Sequence, residues 1–326
     1  MERAVSNGKF MRRLLLRIIL VVLILSFPIA GISKVSIQEQ KGLWADLVDL
    51  YKSSGTDRFQ KWNLIEGITL IKKVKHVSLK AAAMATIIEY HNKDDKFFMG
   101  DDEIVETLKA KAEERKLGED ELLRLREAHI KHSNELKKEY DDAMKEDGKF
   151  LTKGVNISRI MKKYLKENRD DMIKAILNFA SKRVYEVHIT KRDNFEFKEI
   201  KEFINQKVPF IIKPMRGKNF LICVGYIDKH GKKYLIIADL GRIKFKEVSH
   251  ASFVVGEGER AKRARERSKA LDKKFGLAKL DWKFSVTDEI PQGIEIVRWE
   301  RSKFAIYVVD DFKVADQIVD EKFFGN

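Results

Sequence analysis

The apolar positions of the chain follow different periods in its two halves. Up to about residue 168 they recur at helical spacing, whereas after residue 183 they fall in short β-branched and aromatic runs between turn residues. Helices that precede strands in this way predict an α+β fold with an antiparallel sheet.

The most apolar helical segment is LKAAAMATIIEY, residues 79–90. Its apolar side chains occupy nearly every side of a helix, as expected of a helix that packs at the centre of a domain. Ser78 directly precedes it and is a candidate N-cap. We therefore expect this helix to be the central packing element. A second amphipathic helix is predicted over 153–168.

Six runs in the second half predict strands. They are RVYEVHIT (183–190), VPFIIKPM (208–215), NFLICVGYID (219–228), KKYLIIADLG (232–241), IKFKEVS (243–249) and FAIYVVDD (304–311). The segment IDKHGKKYLIIAD has the turn residues of a hairpin between two of these strands.

Composition shifts divide the chain further. A helical prelude is predicted within 34–64 and a main domain over 65–326, interrupted by charged helical insertions at about 101–150 and 256–276. His129 and His132 lie three residues apart in the first insertion, but no third ligand accompanies them at matching spacing. We expect a solvated helix face there, and no metal site.

The second insertion is strongly basic. Residues 259–274 contain eight Lys or Arg and three Asp or Glu, which suits contact with an anionic surface. Aromatic residues do not alternate with these charges, so nucleic acid is not a favoured partner. A solvated helix remains the leading interpretation.

Residues 1–33 have the order of an export signal: basic residues, an apolar run, then Pro28 and the small pair Ala30 and Gly31. The run over 14–32 is also nearly long enough to cross a bilayer. The sequence therefore predicts either a cleaved signal peptide or an N-terminal inner-membrane anchor. Both place the remaining chain in the periplasm or outside the cell.

The full chain has a net charge of +15 and one cysteine, which excludes an internal disulfide. Cys223 lies in FLICVGY, a run typical of a buried strand, where a thiol behaves as a small apolar group. The sequence contains no phosphate-binding loop and no cofactor fingerprint. No cofactor is predicted.

The stretch IKKVKHVSLKAAAMATIIEY, residues 71–90, resembles the start of the family 39 papain-like cysteine peptidases, the double-glycine, bacteriocin-processing type. That family has Val and Gln where this chain has Ile71 and Lys73. It has Cys and Gly at the positions of Leu79 and Lys80. The helix that follows is retained through Tyr90.

Three later segments extend the resemblance over roughly 65–255. The segment GVNISRIMKKYL is similar to the family's Gly-led second helix. Asn219 and Phe220 stand where a His-Phe dipeptide opens a strand. The segment ADLG, with Asp239, is similar to the family's Asp-Pro element, with Leu240 in place of the proline.

The resemblance implies a papain-like fold, in which a central helix packs on an antiparallel sheet. It assigns the nucleophile to Leu79, the general base to Asn219, the orienting acid to Asp239 and the oxyanion donor to Lys73. Leu has no nucleophilic atom, and an Asn amide does not exchange protons near neutral pH. Lys80 is expected to fill part of the cleft, because the family has glycine there.

These substitutions predict a catalytically inactive, peptidase-like protein that acts as a binding or scaffolding module for a protein or peptide. One alternative is an active hydrolase that uses Ser78 with His76 or His250, or Cys223 with a distant His. Another is an exported α+β binding domain of unrelated descent. The resemblance requires Leu79, Asn219 and Asp239 to meet at one cleft.

Overall fold

A computed structural model of the chain describes residues 33–53, 61–73, 76–92, 96–99, 102–145, 153–193, 195–214, 219–243, 263, 281–300 and 304–325. The predicted leader, the basic insertion apart from Arg263, and the run IKFKEVS after Ile243 lie outside these residues. Among the helices that the structure describes, none combines the length and apolarity needed to cross a membrane.

The described helices and strands alternate more often than the sequence pattern indicates. The helices are α1 (Ile37–Ser53), α2 (Leu79–His91), α3 (Lys96–Met99), α4 (Asp102–Glu114), α5 (Glu119–Lys145), α6 (Lys153–Glu167), α7 (Met172–Lys182), α8 (Phe197–Asn205) and α9 (Asp316–Val319), which a π-helical turn (Asp320–Phe324) continues. The strands are β1 (Ser33–Lys34), β2 (Trp62–Leu64), β3 (Thr69–Ile71), β4 (Tyr185–Arg192), β5 (Phe210–Pro214), β6 (Leu221–Lys229), β7 (Lys232–Ala238), β8 (Asp281–Lys283), β9 (Ile294–Arg298) and β10 (Phe304–Val314).

Within the described residues, eight strands form one antiparallel sheet. Seven of them lie in the order β1-β9-β7-β6-β5-β10-β4. Strand β5 pairs with the first half of β6, and β2 pairs with the second half. Strands β3 and β8 form a separate antiparallel pair. The predicted α+β class with an antiparallel sheet is confirmed.

Helix α2 is the buried central helix that the sequence predicts. Its residues 81–88 are all buried, and Ser78 caps it by accepting a hydrogen bond from the Ala81 N–H at 3.1 Å. Thr86 Oγ1 accepts a hydrogen bond from the Ile71 N–H at 3.1 Å and donates to the Ala82 carbonyl at 3.0 Å. The helix is thereby fixed to β3.

Strands β6 and β7 form the predicted hairpin. His230 and Gly231 form its two-residue turn, and both have positive φ angles, of 51° and 75°, as a type I′ turn requires. Farther along β6, a Cβ atom on Gly225 would lie 2.7 Å from the Asn63 carbonyl oxygen. Glycine at this position therefore allows β2 to lie against β6.

The predicted prelude contributes to the sheet as well as providing a helix. Trp44 of α1 is 1% exposed, and its Nε1 donates to the Thr287 carbonyl at 2.8 Å. Strand β1 pairs with β9, and β2 pairs with β6. Residues on both sides of position 64 therefore belong to one sheet.

Helices α4 and α5 form the first predicted insertion, but α5 is not solvated on all sides. His132 is 2% exposed, and its ring centroid lies 5.7 Å from that of Phe323 in the C-terminal turn. Burial, aided by the nearby Lys322 charge, lowers the pKa of His132 to about 3. The prediction of a solvated helix face is wrong for His132, because the C-terminal turn that contains Phe323 covers this side chain.

A buried guanidinium group connects four helical elements. Arg183, directly after α7, is fully buried. Its Nε donates to the Phe97 carbonyl of α3 at 2.8 Å, and its Nη1 donates to Tyr164 Oη of α6 at 3.1 Å. Its Nη2 donates to Glu139 Oε2 of α5 at 2.5 Å. Burial alone would raise the pKa of Glu139, but the Arg183 charge and hydrogen bond lower it overall.

Candidate functional site

The first turn of α2 lies near the end of β7, where the resemblance places its site residues. Leu79 begins α2, Asn219 precedes β6 and Asp239 follows β7. Ile222 of β6 pairs with Ala238 of β7 in an antiparallel register. Asn219 and Asp239 therefore lie at the same end of the sheet.

Leu79 and Asp239 meet at Gly241. A Cβ atom on Gly241 would lie 3.2 Å from Asp239 Oδ1 and 3.5 Å from Leu79 Cδ2. Lys73 joins this group through its backbone, because its N–H donates to the Leu240 carbonyl at 3.1 Å. The Lys73 side chain is exposed. The structure thus brings Leu79, Asp239 and the Lys73 backbone to one place.

The residue after Asn219, Phe220, contacts the residue after Leu79. The ring of Phe220 lies with its centroid 5.6 Å from Nζ of Lys80, the residue after Leu79. Phe220 is buried and Asn219 is half-buried. The strand start that carries Asn219 is therefore in contact with the first turn of α2.

The carboxylate of Asp239 holds its own turn together. Its Oδ1 accepts from the Gly241 N–H at 2.9 Å, and its Oδ2 lies 3.4 Å from Arg242 Nε. Its backbone N–H donates to the Gly293 carbonyl at 2.8 Å. Gly293 has a φ of 92°, and a Cβ there would lie 2.7 Å from the Ile243 backbone nitrogen. Only glycine fits beneath this turn.

Lys80 spans the space in front of the helix. Its Nζ donates to the Asp170 carbonyl, in the turn between α6 and α7, at 2.8 Å. Carbonyl groups near a helix C-terminus carry partial negative charge, which favours an ammonium group there. The Lys80 side chain therefore connects the core helix to the turn between α6 and α7.

The alternative nucleophiles are already engaged or inaccessible. Ser78 Oγ serves as the helix cap by accepting from the Ala81 N–H. Cys223 is fully buried in β6, and burial raises the pKa of its thiol to about 12. His250 lies outside the residues that the structure describes. Burial and the raised pKa leave Cys223 without the properties of an activated nucleophile.

At the four positions taken from the resemblance, the side chains differ from a Cys-His-Asp set. Leu79 offers no nucleophilic atom, Asn219 offers no imidazole, and Asp239 is held by Gly241 and Arg242. Over the described ranges, no group of three or more His, Cys, Asp or Glu side chains is placed to hold a metal ion.

Two supporting residues are not evident from the sequence. Gly293 follows Pro291 and Gln292, a pattern that predicts a turn but does not say what the turn supports. Arg242 contacts both Asp239 and Glu295, which is 53 residues farther along the chain; its Nη1 lies 2.5 Å from Glu295 Oε1. Such pairing depends on the order of strands in the sheet.

The chain was compared with known proteins in three ways. No protein-family model, no curated protein and no solved structure matches it.

Proposed function

We propose that this chain is a catalytically inactive relative of the family 39 papain-like cysteine peptidases, which binds a protein or peptide at the first turn of α2. The observation that carries the proposal is the meeting of Leu79 and Asp239 at Gly241. These two positions take the nucleophile and orienting-acid roles in the resemblance. Leu79 has no nucleophilic atom, and Asp239 stabilises its own turn by accepting a hydrogen bond from the Gly241 N–H.

A thiol-reactivity experiment tests whether the four positions form a former catalytic site. In the family mechanism a His next to the Cys stabilises the thiolate, which lowers the thiol pKa. We expect Leu79→Cys/Asn219→His to react with iodoacetamide at pH 6 at least tenfold faster than Leu79→Cys/Asn219→Gln. The native thiol of Cys223 gives little background because it is buried and its pKa is about 12.

The glutamine variant is the matched control, because it places an amide of similar size at the same position without an imidazole. Equal reaction rates in the two variants would refute the proposed ancestry of the site. Circular dichroism spectra of both variants establish that each retains the native fold.

A binding experiment tests the retained activity. We expect the wild-type protein to bind a fluorescent peptide that ends in a double-glycine leader, and to leave it uncleaved. Lys80→Ala should increase affinity severalfold, because it removes the side chain that reaches Asp170 across the site. Lys174→Ala, on the exposed side of α7, is the control. Hydrolysis of the peptide by the wild-type protein would contradict the proposal.

The proposal includes export, on the basis of the signal-like residues 1–33. Its test is the location and N-terminal mass of the expressed full chain in a bacterial host. A periplasmic or membrane-bound product supports export. A full-length product in the cytosol contradicts it.

A further inference from the structure

A cavity of about 830 Å³ lies between α5, α6, α7 and the residues that lead into α2. Ligand pockets in proteins commonly have volumes of roughly 300–1,000 Å³, so this cavity has room for a small molecule. Among the described residues, six Lys or Arg side chains line it against three Asp or Glu side chains. The cationic side chains are Lys138, Arg159, Lys162, Lys163, Lys166 and Lys182.

Around Glu139, the cationic side chains outnumber the carboxylates. Glu139 lies 2.5 Å from Arg183 Nη2, 3.3 Å from Lys163 Nζ and 3.3 Å from Lys182 Nζ. One carboxylate therefore faces three cations, and one of these, Arg183, is fully buried. Charges in such partly buried places are screened less by solvent than surface charges are.

Three further lysines and two further carboxylates, those of Glu135 and Asp142, also line the cavity, so the lining keeps a net positive charge. Lys138, Lys162 and Lys166 line the cavity and form no ion pair within the part of the chain that the structure describes. Lys162 and Lys166 lie four residues apart, on one side of α6, where like charges destabilise a helix. A bound anion would relieve this repulsion.

The lining also indicates what kind of anion fits. Apart from the imidazole of His76, no aromatic ring lines the cavity within the described residues, so a nucleobase has no stacking platform. Lysine ammonium groups on flexible stems suit the oxygens of phosphate groups, which carry more charge than a carboxylate.

We propose that this cavity binds a small, non-aromatic anion that carries several phosphate groups. The chemistry is shared by two sources, short inorganic polyphosphate and polyphosphorylated sugars or cyclitols. The inference goes beyond the proposed peptide-binding role and does not depend on it, because none of the four positions aligned with the peptidase site lines this cavity.

Isothermal titration calorimetry of the full chain tests the proposal, with tripolyphosphate and inositol hexakisphosphate as probes and citrate as the carboxylate comparison. We expect saturable binding of at least one phosphate probe at 0.15 M salt. Lys162→Glu/Lys166→Glu should weaken that binding at least tenfold. Lys131→Glu/Lys174→Glu should change it less than twofold, because it alters the net charge equally with exposed lysines outside the cavity.

Preference for tripolyphosphate identifies an inorganic ligand, and preference for the inositol compound identifies an organic one. The proposal is overturned by the absence of saturable binding to both probes, or by equal loss in the two double variants. Citrate binding as tight as that of the phosphates would also overturn it, since the site would then not select phosphate. Both double variants replace exposed side chains, and their thermal unfolding establishes that they fold.

Discussion

The side-chain amide of Asn156 is a buried polar group with an unmet hydrogen-bonding capacity. Its Nδ2 and Oδ1 are both buried in α6, with no hydrogen-bond partner in the part of the chain that the structure describes. Leaving such a group unsatisfied costs about 1–3 kcal/mol. We expect Asn156→Leu, which is similar in volume, to raise the free energy of unfolding by about 1 kcal/mol.

Urea denaturation measures this change. Asn156→Asp is the matched control, because it keeps the shape but adds a charge, and it should lower the stability. A leucine variant less stable than the wild type would show that the amide has a partner, such as a bound water.

His132 links stability to pH. Burial and the Lys322 charge lower its pKa to about 3 in the folded protein, and its other charged neighbours are His129 and Arg183. The unfolded chain takes up a proton near the ordinary value of 6.5, so protonation favours unfolding. The stability from neutral His132 is complete above about pH 6.5 and is lost as the pH falls toward 3.

We therefore expect wild-type stability to decrease between pH 6.5 and 3 by up to about 1.4 kcal/mol per pH unit more than that of His132→Leu. Chemical denaturation at several pH values gives the slopes. Parallel curves for the two proteins would mean that His132 is protonated in the fold. His230→Asn is the control, because that side chain is exposed and asparagine tolerates the positive φ of the position.

Local sequence pattern predicts the environment of some side chains and misses that of others. The cap at Ser78 and the burial of Cys223 follow from local pattern, and the structure has both. The burial of His132 depends on Phe323, nearly two hundred residues farther along the chain, and local pattern contains no sign of that contact. The same holds for Arg183, since a lone arginine after a helix ordinarily indicates a surface position.

At the scale of elements, two glycines of the β6–β7 region have different functions. A Cβ on Gly231 would meet no atom within 4 Å, so Gly231→Ala costs only the strained positive φ, about 1 kcal/mol. A Cβ on Gly225 would collide with the Asn63 carbonyl of β2. We expect Gly225→Ala to cost roughly 2–4 kcal/mol and to weaken the β2 pairing.

Thermal unfolding measures the two costs, and hydrogen exchange at the Ile65 amide, which donates to the Val224 carbonyl of β6 at 2.7 Å, reports the pairing at the end of β2. Gly231→Ala should leave that exchange unchanged, which makes it the control for Gly225→Ala. Equal exchange in both variants would show that β2 accommodates the extra methyl group.

The Arg183–Glu139 ion pair is an element-scale feature, because it connects α3, α5, α6 and α7. Removing one partner of a buried pair costs about 3–5 kcal/mol, because the other charge stays buried. We expect Glu139→Gln to lose about 3 kcal/mol, and Glu139→Leu/Arg183→Met to recover most of it. Denaturant unfolding of Glu139→Leu, Arg183→Met and the double variant gives the coupling energy. A double variant no more stable than Glu139→Gln would contradict this account.

Elements with long, clear periods are the ones that the sequence predicts. The core helix over 79–90 and the hairpin around Gly231 are of this kind. Strands β2, β3 and β8 have three residues each, too few to show a period of two. They exist because tertiary pairing with distant strands stabilises them. The candidate site was predictable only from the resemblance. The contacts that support it, from Gly293 before β9 and from Glu295 of β9 to Arg242, depend on the pairing of β7 with β9.

At the scale of the whole molecule, the prelude and the main domain share one sheet. Strands β1 and β2 pair with β9 and β6, and Trp44 donates to Thr287. Elements that share a sheet and a core unfold together. We expect amides of α1 and of β6 to exchange through the same global opening, with equal free energies.

Native-state hydrogen exchange with increasing denaturant measures both sets of amides. The control is the exposed N-terminal turn of α5, which should exchange through local fraying. Exchange of α1 through an opening several kcal/mol lower than that of β6 would show that the prelude unfolds separately.

The pairing of β1 with β9 has a consequence for the export that we propose. Ser33 pairs with Arg298 directly after the apolar run over 14–32, with no spacer between them. Under the proposed cleavage near Ala30, only a few residues separate the cut from this ladder, so we expect processing to precede folding. If the run instead stays in the bilayer, the missing spacer keeps one edge of the sheet at the membrane surface. Every binding surface of the protein would then lie within one molecular diameter of the bilayer, and a partner would have to bind close to the membrane.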